Sequence, residues 1–311
     1  MTLNDAVTRF AALADGELGD PEEAFHAIVS QMHALCAEIR RSELEGVNRD
    51  AILSTIRPAR AVHSLSPFVR RLQDWPRGMP GDFETIEYLC DGKNRAPLDS
   101  VGYLIERYAL TSGPAQQHRN KIHWQGTQLL DAINLRQPSL RILSVACGGS
   151  RDLCAICPLI PRGSVALVLN DADPDALDLS RSRLQALDLD GSVETLPGDI
   201  FHALRPLRHA PLFDIIVAGG LFDYLEDRAA SWLLKQLLGI LSPTGRICFT
   251  NITTRNPYRV WMEYLVDWRI VGRSAEDLQN LVSNASPSET LHVGIESDTT
   301  SLANLISLTR Q

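Results

Sequence analysis

Two hydrophobic textures divide the chain. Up to about residue 125, apolar positions recur every three or four residues, the spacing of helices with one buried face. Asp20-Pro21-Glu22-Glu23 combines a helix cap, a proline suited to the first turn and a glutamate suited to the third position. It launches the amphipathic stretch AFHAIVSQMHALCAEIRRSELEG. Further helices are predicted at 50–56, 67–73, 83–89 and 101–110, and PAQQHRNKIHWQGTQLLDAIN reads as one more. From Leu140 the texture changes to short runs that are apolar throughout: LRILSVA, SVALVLN, SVETLP, FDIIVAG and GRICFTNI. Helical patterns separate them at 151–160, 174–187 and 227–241. Uniformly apolar strands between helices imply a parallel sheet covered on both faces. Near the end, LHVGIES and LISLTR flank the polar turn DTTSLAN and read as an antiparallel pair. The expectation is an α/β, Rossmann-like sheet of seven strands over residues 126–311, preceded by an all-helical domain over 1–125.

Composition narrows the class. The chain has 311 residues, 44% of them hydrophobic, and a formal net charge of −8. Such a chain repels a phosphate backbone on average, which argues against a nucleic-acid partner. The local basic group Arg57, Arg60, Arg70, Arg71 and Arg77 reads as a solvated helix face. No run reaches the ~18 apolar residues of a membrane span, and the first twenty residues lack a basic-then-apolar signal pattern. A cytoplasmic setting with its six cysteines reduced is expected. Cys154 and Cys157 form a C-x-x-C without a second ligand pair, so packing rather than a metal site is expected.

The candidate chemistry begins at SVACGGSR, directly behind the first strand. A dinucleotide loop requires a third glycine for close helix packing, and Arg151 stands there. A phosphate-binding G-x-x-x-x-G-K-[ST] loop is absent. S-adenosylmethionine (SAM) has no pyrophosphate and needs only the close backbone turn of Ala146, Cys147, Gly148 and Gly149. Asp171, ending the second strand, offers two acceptor oxygens to the ribose hydroxyls. Asp173 reads as a second acceptor or a helix cap. Asp199 after the third strand suits the adenine amino group, with Ile200 and Phe201 beside the purine.

These stretches, with RGMPGDFETIEYL, ILSVACGGSRDL, NDADPDAL, AGGLFDYL and NPYRVWMEYLVDWRIVGR, resemble class I SAM-dependent methyltransferases. The likeness runs from about Arg77 to Arg273. It is closer to a bacterial family named for biosynthesis of the extracellular factor hydroxypalmitic acid methyl ester. The resemblance implies the fold, the SAM cofactor and a small-molecule substrate. It also exposes two departures: Ser144 where such enzymes place an acid for the cofactor's amino group, and Ser150 where they place glycine. Asp82, Tyr103, Arg119 and Asn120 are then candidates for gripping the methionine end, with the helical domain as a lid.

Three functions follow from these residues. The first is methyl transfer to a carboxylate or hydroxyl oxygen. Gly219 and Gly220 allow close approach, Asp223 and Tyr224 offer a base and a hydroxyl, and Tyr103 is a further catalytic candidate. Asn251 and Tyr258 are weaker ones, and His118 and His123 read as packed or surface histidines. Arg119 would orient a carboxylate, which needs no base. The second is ring closure of SAM itself, as in azetidine carboxylic acid synthases, which resemble the same fold. Loss of the acid at Ser144 suits a neutral amine, and Tyr88, Tyr103, Tyr108 and Trp124 offer rings to the sulfonium. The third is SAM binding without catalysis.

Overall fold

The computed structural model describes residues 1–15, 18–135, 140–187, 193–288 and 290–310. It forms two compact units. One comprises Met1–Gln116 and Pro257–Arg269, the other Gln117–Asn256 and Ile270–Gln311. The expected single boundary near residue 125 therefore differs on two counts. The division falls inside a continuous helix, and a thirteen-residue excursion belongs with the helical unit.

The helical unit contains α1 (Leu3–Ala11), α2 (Pro21–Leu44), α3 (Arg49–Thr55), α4 (Arg57–His63), α5 (Pro67–Asp74), α6 (Phe83–Asp91) and α7 (Val101–Thr111). Asp20 caps α2 as its sequence implies, accepting the amides of Glu22 and Glu23. The excursion carries a π-helical turn at Trp261–Leu265. It is fastened by Arg49 to the Glu263 carbonyl, by Arg60 to the Tyr264 carbonyl, and by Glu43 to Arg259 and the Tyr264 hydroxyl. Arg60, Arg71 and Arg77 all pair with carboxylates inside this unit, so the presumed basic face is neutralised. Glu106 is fully buried, and its carboxylate accepts from Ser66 Oγ, Phe68 N, Tyr88 Oη and Arg95 N. That one side chain ties α5, α6 and α7 together.

In the second unit, α8 (Gly113–Leu135) leads into β1 (Leu140–Val145), α9 (Arg151–Ile156), β2 (Val165–Asp171), α10 (Pro174–Gln185) and β3 (Val193–Pro197). Then come α11 (Ile200–Leu207), β4 (Phe213–Ala218), α12 (Asp227–Gly239), β5 (Leu241–Ile252), α13 (Ala275–Ala285), β6 (Leu291–Ser297) and β7 (Ala303–Arg310). The sheet order is β3-β2-β1-β4-β5-β7-β6, with β7 antiparallel to both neighbours. This is a Rossmann-like α/β sheet with all seven expected strands. Residues of α8, α9 and α10 pack on one face, around Ile142, Leu167 and Val217, and those of α11, α12 and α13 on the other, around Leu143, Val168 and Ile216. Ser192, expected to open the third strand, lies outside the described residues. α1, α4, α11 and α13 are short elements that the apolar periodicity did not single out. No helix among the described residues is long and apolar enough to cross a membrane.

Glu106→Leu strands two backbone amides and two hydroxyls in the core. Urea unfolding should register a loss of about 3–5 kcal/mol; a change below about 1 kcal/mol would contradict the role assigned to Glu106.

Candidate active site

In an open α/β sheet ligands bind beyond the carboxyl ends of the strands, where the order reverses direction. Here that point lies between β1 and β4, whose last residues Val145 and Ala218 are direct partners. The loop after β1 alternates left-handed residues, with φ of 49° at Ala146, 54° at Gly148 and 49° at Ser150. The two non-glycines are strained by roughly 1 kcal/mol each. Hydrogen bonds hold the loop in this form. Ser150 Oγ donates to Ser180 Oγ, Ser180 Oγ donates to the Gly148 carbonyl at 2.7 Å, and Arg183 donates to the Gly149 carbonyl at 2.8 Å. Ser150 thus occupies a conformation that favours glycine and is compensated by its bond to α10.

Asp171 locks the loop from the next strand. Its Oδ2 accepts the Gly148 amide at 2.8 Å and its Oδ1 the Asp173 amide at 2.9 Å. A carboxylate has about four acceptor positions, so acceptor capacity remains beyond the backbone amides it receives. Burial raises its pKa, with these amides opposing the rise. Neighbouring Asn170, buried in β2, donates to the carbonyls of Leu196 and Gly198 and so fixes the loop after β3. Gly198 has a φ of 109°, open only to glycine. Asp199 is exposed and caps α11 through the Phe201 amide at 2.7 Å. Ile200 is buried in the core, and Phe201 stacks on Trp232 with centroids 5.5 Å apart. Asp173 caps α10.

The loop after β4 is organised by a buried network. Asp223 Oδ2 accepts Lys121 Nζ at 2.7 Å, with both side chains 3% exposed. Its Oδ1 accepts Asn251 Nδ2 at 2.9 Å and the Ile252 amide at 2.6 Å. Arg273, 2% exposed, donates to Asn251 Oδ1 and to the carbonyls of Phe222 and Leu225. Asp223, expected as a base, is a buried anchor whose carboxylate is held by a lysine, an amide side chain and a backbone N–H. Asn251 is its partner. Tyr224 follows in the same loop and is half-buried. Gly219 accepts from Thr250 Oγ1 at 2.8 Å, and a Cβ there would meet Gln125 Nε2 at 2.9 Å.

Gln117, Lys121 and Gln125 recur every four residues on α8, one helix face. All three are buried. Neither end of the Gln117 amide has a partner among the described residues. Nothing in the sequence reading marked this stripe, although its spacing is visible there. Asp152 was also overlooked. It is 5% exposed in the first turn of α9, and burial raises its pKa from 3.8 to about 6. Burial pushes the Cys147 thiol up to about 12, so it is not a nucleophile at neutral pH.

Of the expected methionine grips, Asp82 and Tyr103 belong to the helical unit, and Arg119 and Asn120 to α8 of the second. Asp82 caps α6 through Thr85 and pairs with Arg71 at 2.6 Å, within the helical unit. Tyr103 lies half-buried on α7 of that unit. Asn120 uses both amide hydrogens on Asp298 and Thr299 in the β6–β7 turn. Arg119 precedes Lys121 by two residues, roughly 200° around the helix, so it faces away from the stripe. The rings considered for a sulfonium cage are largely ordinary packing. Tyr88 donates to Glu106, Tyr108 contacts His33 and packs edge-on to Trp261, and Trp124 rests on the sheet core. His118 is buried, and burial holds its pKa well below the ordinary value. His123 is exposed, and Tyr258 belongs with the helical unit. Cys157 donates to the Leu187 carbonyl.

No protein-family model matches the chain, and no curated protein matches its sequence. Among solved structures it is similar to a Bordetella parapertussis protein described as a possible exported protein. That likeness has a TM-score of 0.58 at 18% identity and covers 74% of this chain and 79% of that one. It is also similar to an O-methyltransferase family protein from Burkholderia thailandensis (TM-score 0.47, 16% identity, 66% of this chain and 62% of that one). A third is the O-methyltransferase TomG from Streptomyces achromogenes, solved in complex with SAM (TM-score 0.43, 16% identity, 60% and 79%). The first of these bears on the fold, and none at such identity assigns a substrate.

Two substitutions test the buried charges. Lys121→Met leaves Asp223 buried and unpaired, and should cost about 3–5 kcal/mol in chemical denaturation; unchanged stability would mean the pair is not an anchor. Asp152→Asn should act the other way. The folded chain binds the Asp152 proton more tightly than the unfolded chain does, so stability falls as pH rises from about 4 to about 6. Removing the charge should stabilise the ligand-free protein at pH 7 by roughly 2–3 kcal/mol and flatten that pH slope; a destabilised variant at pH 7 would contradict this.

Proposed function

We propose that the chain is a SAM-dependent methyltransferase that methylates an oxygen of a small molecule. One observation carries the reading: Asp171, ending β2 at the switch point, is latched to the Gly148 amide, and its carboxylate retains acceptor capacity for a ribose hydroxyl. Asp199, exposed one strand away, suits the adenine amino group, and the strained loop gives the close backbone approach that a nucleoside thioether requires. The donor set therefore fits SAM. Bound there, SAM supplies a sulfonium-activated methyl carbon open to in-line attack.

The protein's part is alignment and exclusion of water. Lys121, Asp223, Asn251 and Arg273 hold the loop at 219–225 in one shape, so that Tyr224 presents its hydroxyl at a fixed place. A carboxylate acceptor arrives ionised and needs no base, which agrees with Asp223 being buried and paired with Lys121. Ring closure of SAM gains no support from the packed rings of the helical unit.

Incubating the purified protein with SAM, with and without carboxylic and hydroxylated acceptors, should release S-adenosylhomocysteine only when an acceptor is present. Asp171→Ala should weaken SAM binding by roughly ten- to a hundredfold, given the worth of hydrogen bonds to a charged group. Release of methylthioadenosine from SAM alone would replace this reading with cyclisation.

A further inference from the structure

Resting on the reading of the site as a SAM site, we propose that Asp152 and Gln125 hold the cofactor's amino-acid end, Asp152 taking the α-ammonium and Gln125 the α-carboxylate. Ser144 carries no charge and cannot replace the acid usual at its position. Asp152 is buried, and among the described residues its carboxylate accepts the Leu153 amide at 2.9 Å. No cation pairs with it among the described residues. A carboxylate buried without a counter-charge is costly, and a cationic ligand removes that cost.

Its position suits the task. Asp171 reaches the loop from the end of β2 and accepts the Gly148 amide, while Asp152 follows the loop directly in the first turn of α9. With Asp171 on the ribose, Asp152 lies on the side left for the methionine chain. Gln125 supplies an independent pointer. It is 7% exposed, and its amide lies against Gly219, where a Cβ would stand 2.9 Å from Nε2. Gly126, next to it on α8, packs so closely on α9 that a Cβ would stand 3.3 Å from the Asp152 carbonyl oxygen. Since Val145 and Ala218 are sheet partners, the loop, Gly219, Asp152 and Gln125 share one end of two adjacent strands. An ammonium placed there donates to Asp152 and a carboxylate accepts from Gln125 Nε2.

The test compares two ligands by titration calorimetry on the full chain. S-adenosylhomocysteine carries the amino-acid end; methylthioadenosine keeps the nucleoside and lacks it. The wild-type protein should bind S-adenosylhomocysteine more tightly. Asp152→Asn should weaken that binding roughly tenfold or more and leave methylthioadenosine within about twofold. Gln125→Leu should show the same selectivity with a smaller loss. Equal loss for both ligands, or no loss, overturns the assignment. Should a variant misfold, the wild-type comparison still decides, because equal affinity for the two ligands overturns the proposal while leaving the cofactor reading intact. Failure of the wild-type protein to bind either ligand overturns both.

Discussion

A buried lysine–aspartate pair at the carboxyl edge of the sheet is the interaction on which the rest of the site depends. Lys121 reaches from α8 and Asp223 from the loop after β4, and water is excluded from both. Such a pair contributes little net stability over an apolar alternative, but breaking it is severe. Its value here is geometric. Asp223 also gathers the Ile252 amide and Asn251, and Asn251 hands on to Arg273, which grips the carbonyls of Phe222 and Leu225. One chain of charge-assisted bonds therefore sets α8, the β4 loop and the end of β5 in a single arrangement.

From that arrangement the remaining features follow. With Lys121 fixed, the face of α8 bearing Gln117 and Gln125 is turned toward the strand ends. Gly219 must then lack a side chain, because Gln125 occupies its space. On the other flank, Asn170, Asp171 and Ser180 hold a loop whose own dihedral angles are unfavourable. The carboxyl edge combines strain, buried charge and a Gln117 amide unpartnered among the described residues, and stability is given up there.

The sheet was legible because its central strands β1, β2 and β4 are largely apolar and its turns are marked by glycine, proline and aspartate. Within the candidate site, the parts visible in sequence were those with a local pattern: the glycine turn, Asp171 ending β2 and Asp199 capping α11. Contacts between residues far apart in sequence left no such pattern. Asp223 looked like a base because its partners, Lys121 and Asn251, are 102 and 28 positions away. Asn120 looked available because Asp298 is 178 positions distant. Asp152 was invisible for the opposite reason, since an acid in the first turn of a helix is ordinary and only its burial is not. The excursion at 257–269 could not be assigned from periodicity either, because its ties run to α2, α3 and α4 through single arginine and glutamate side chains.

The central claim is that this carboxyl edge receives a nucleoside thioether with its amino-acid end toward α8. A crystal structure with S-adenosylhomocysteine tests it most directly. The account predicts ribose hydroxyls on Asp171, the adenine edge at Asp199, the ammonium on Asp152 and the carboxylate within reach of Gln125, with the Lys121–Asp223 pair unbroken. A nucleoside bound away from the β1–β4 switch point, or an amino-acid end directed away from Asp152, would contradict it.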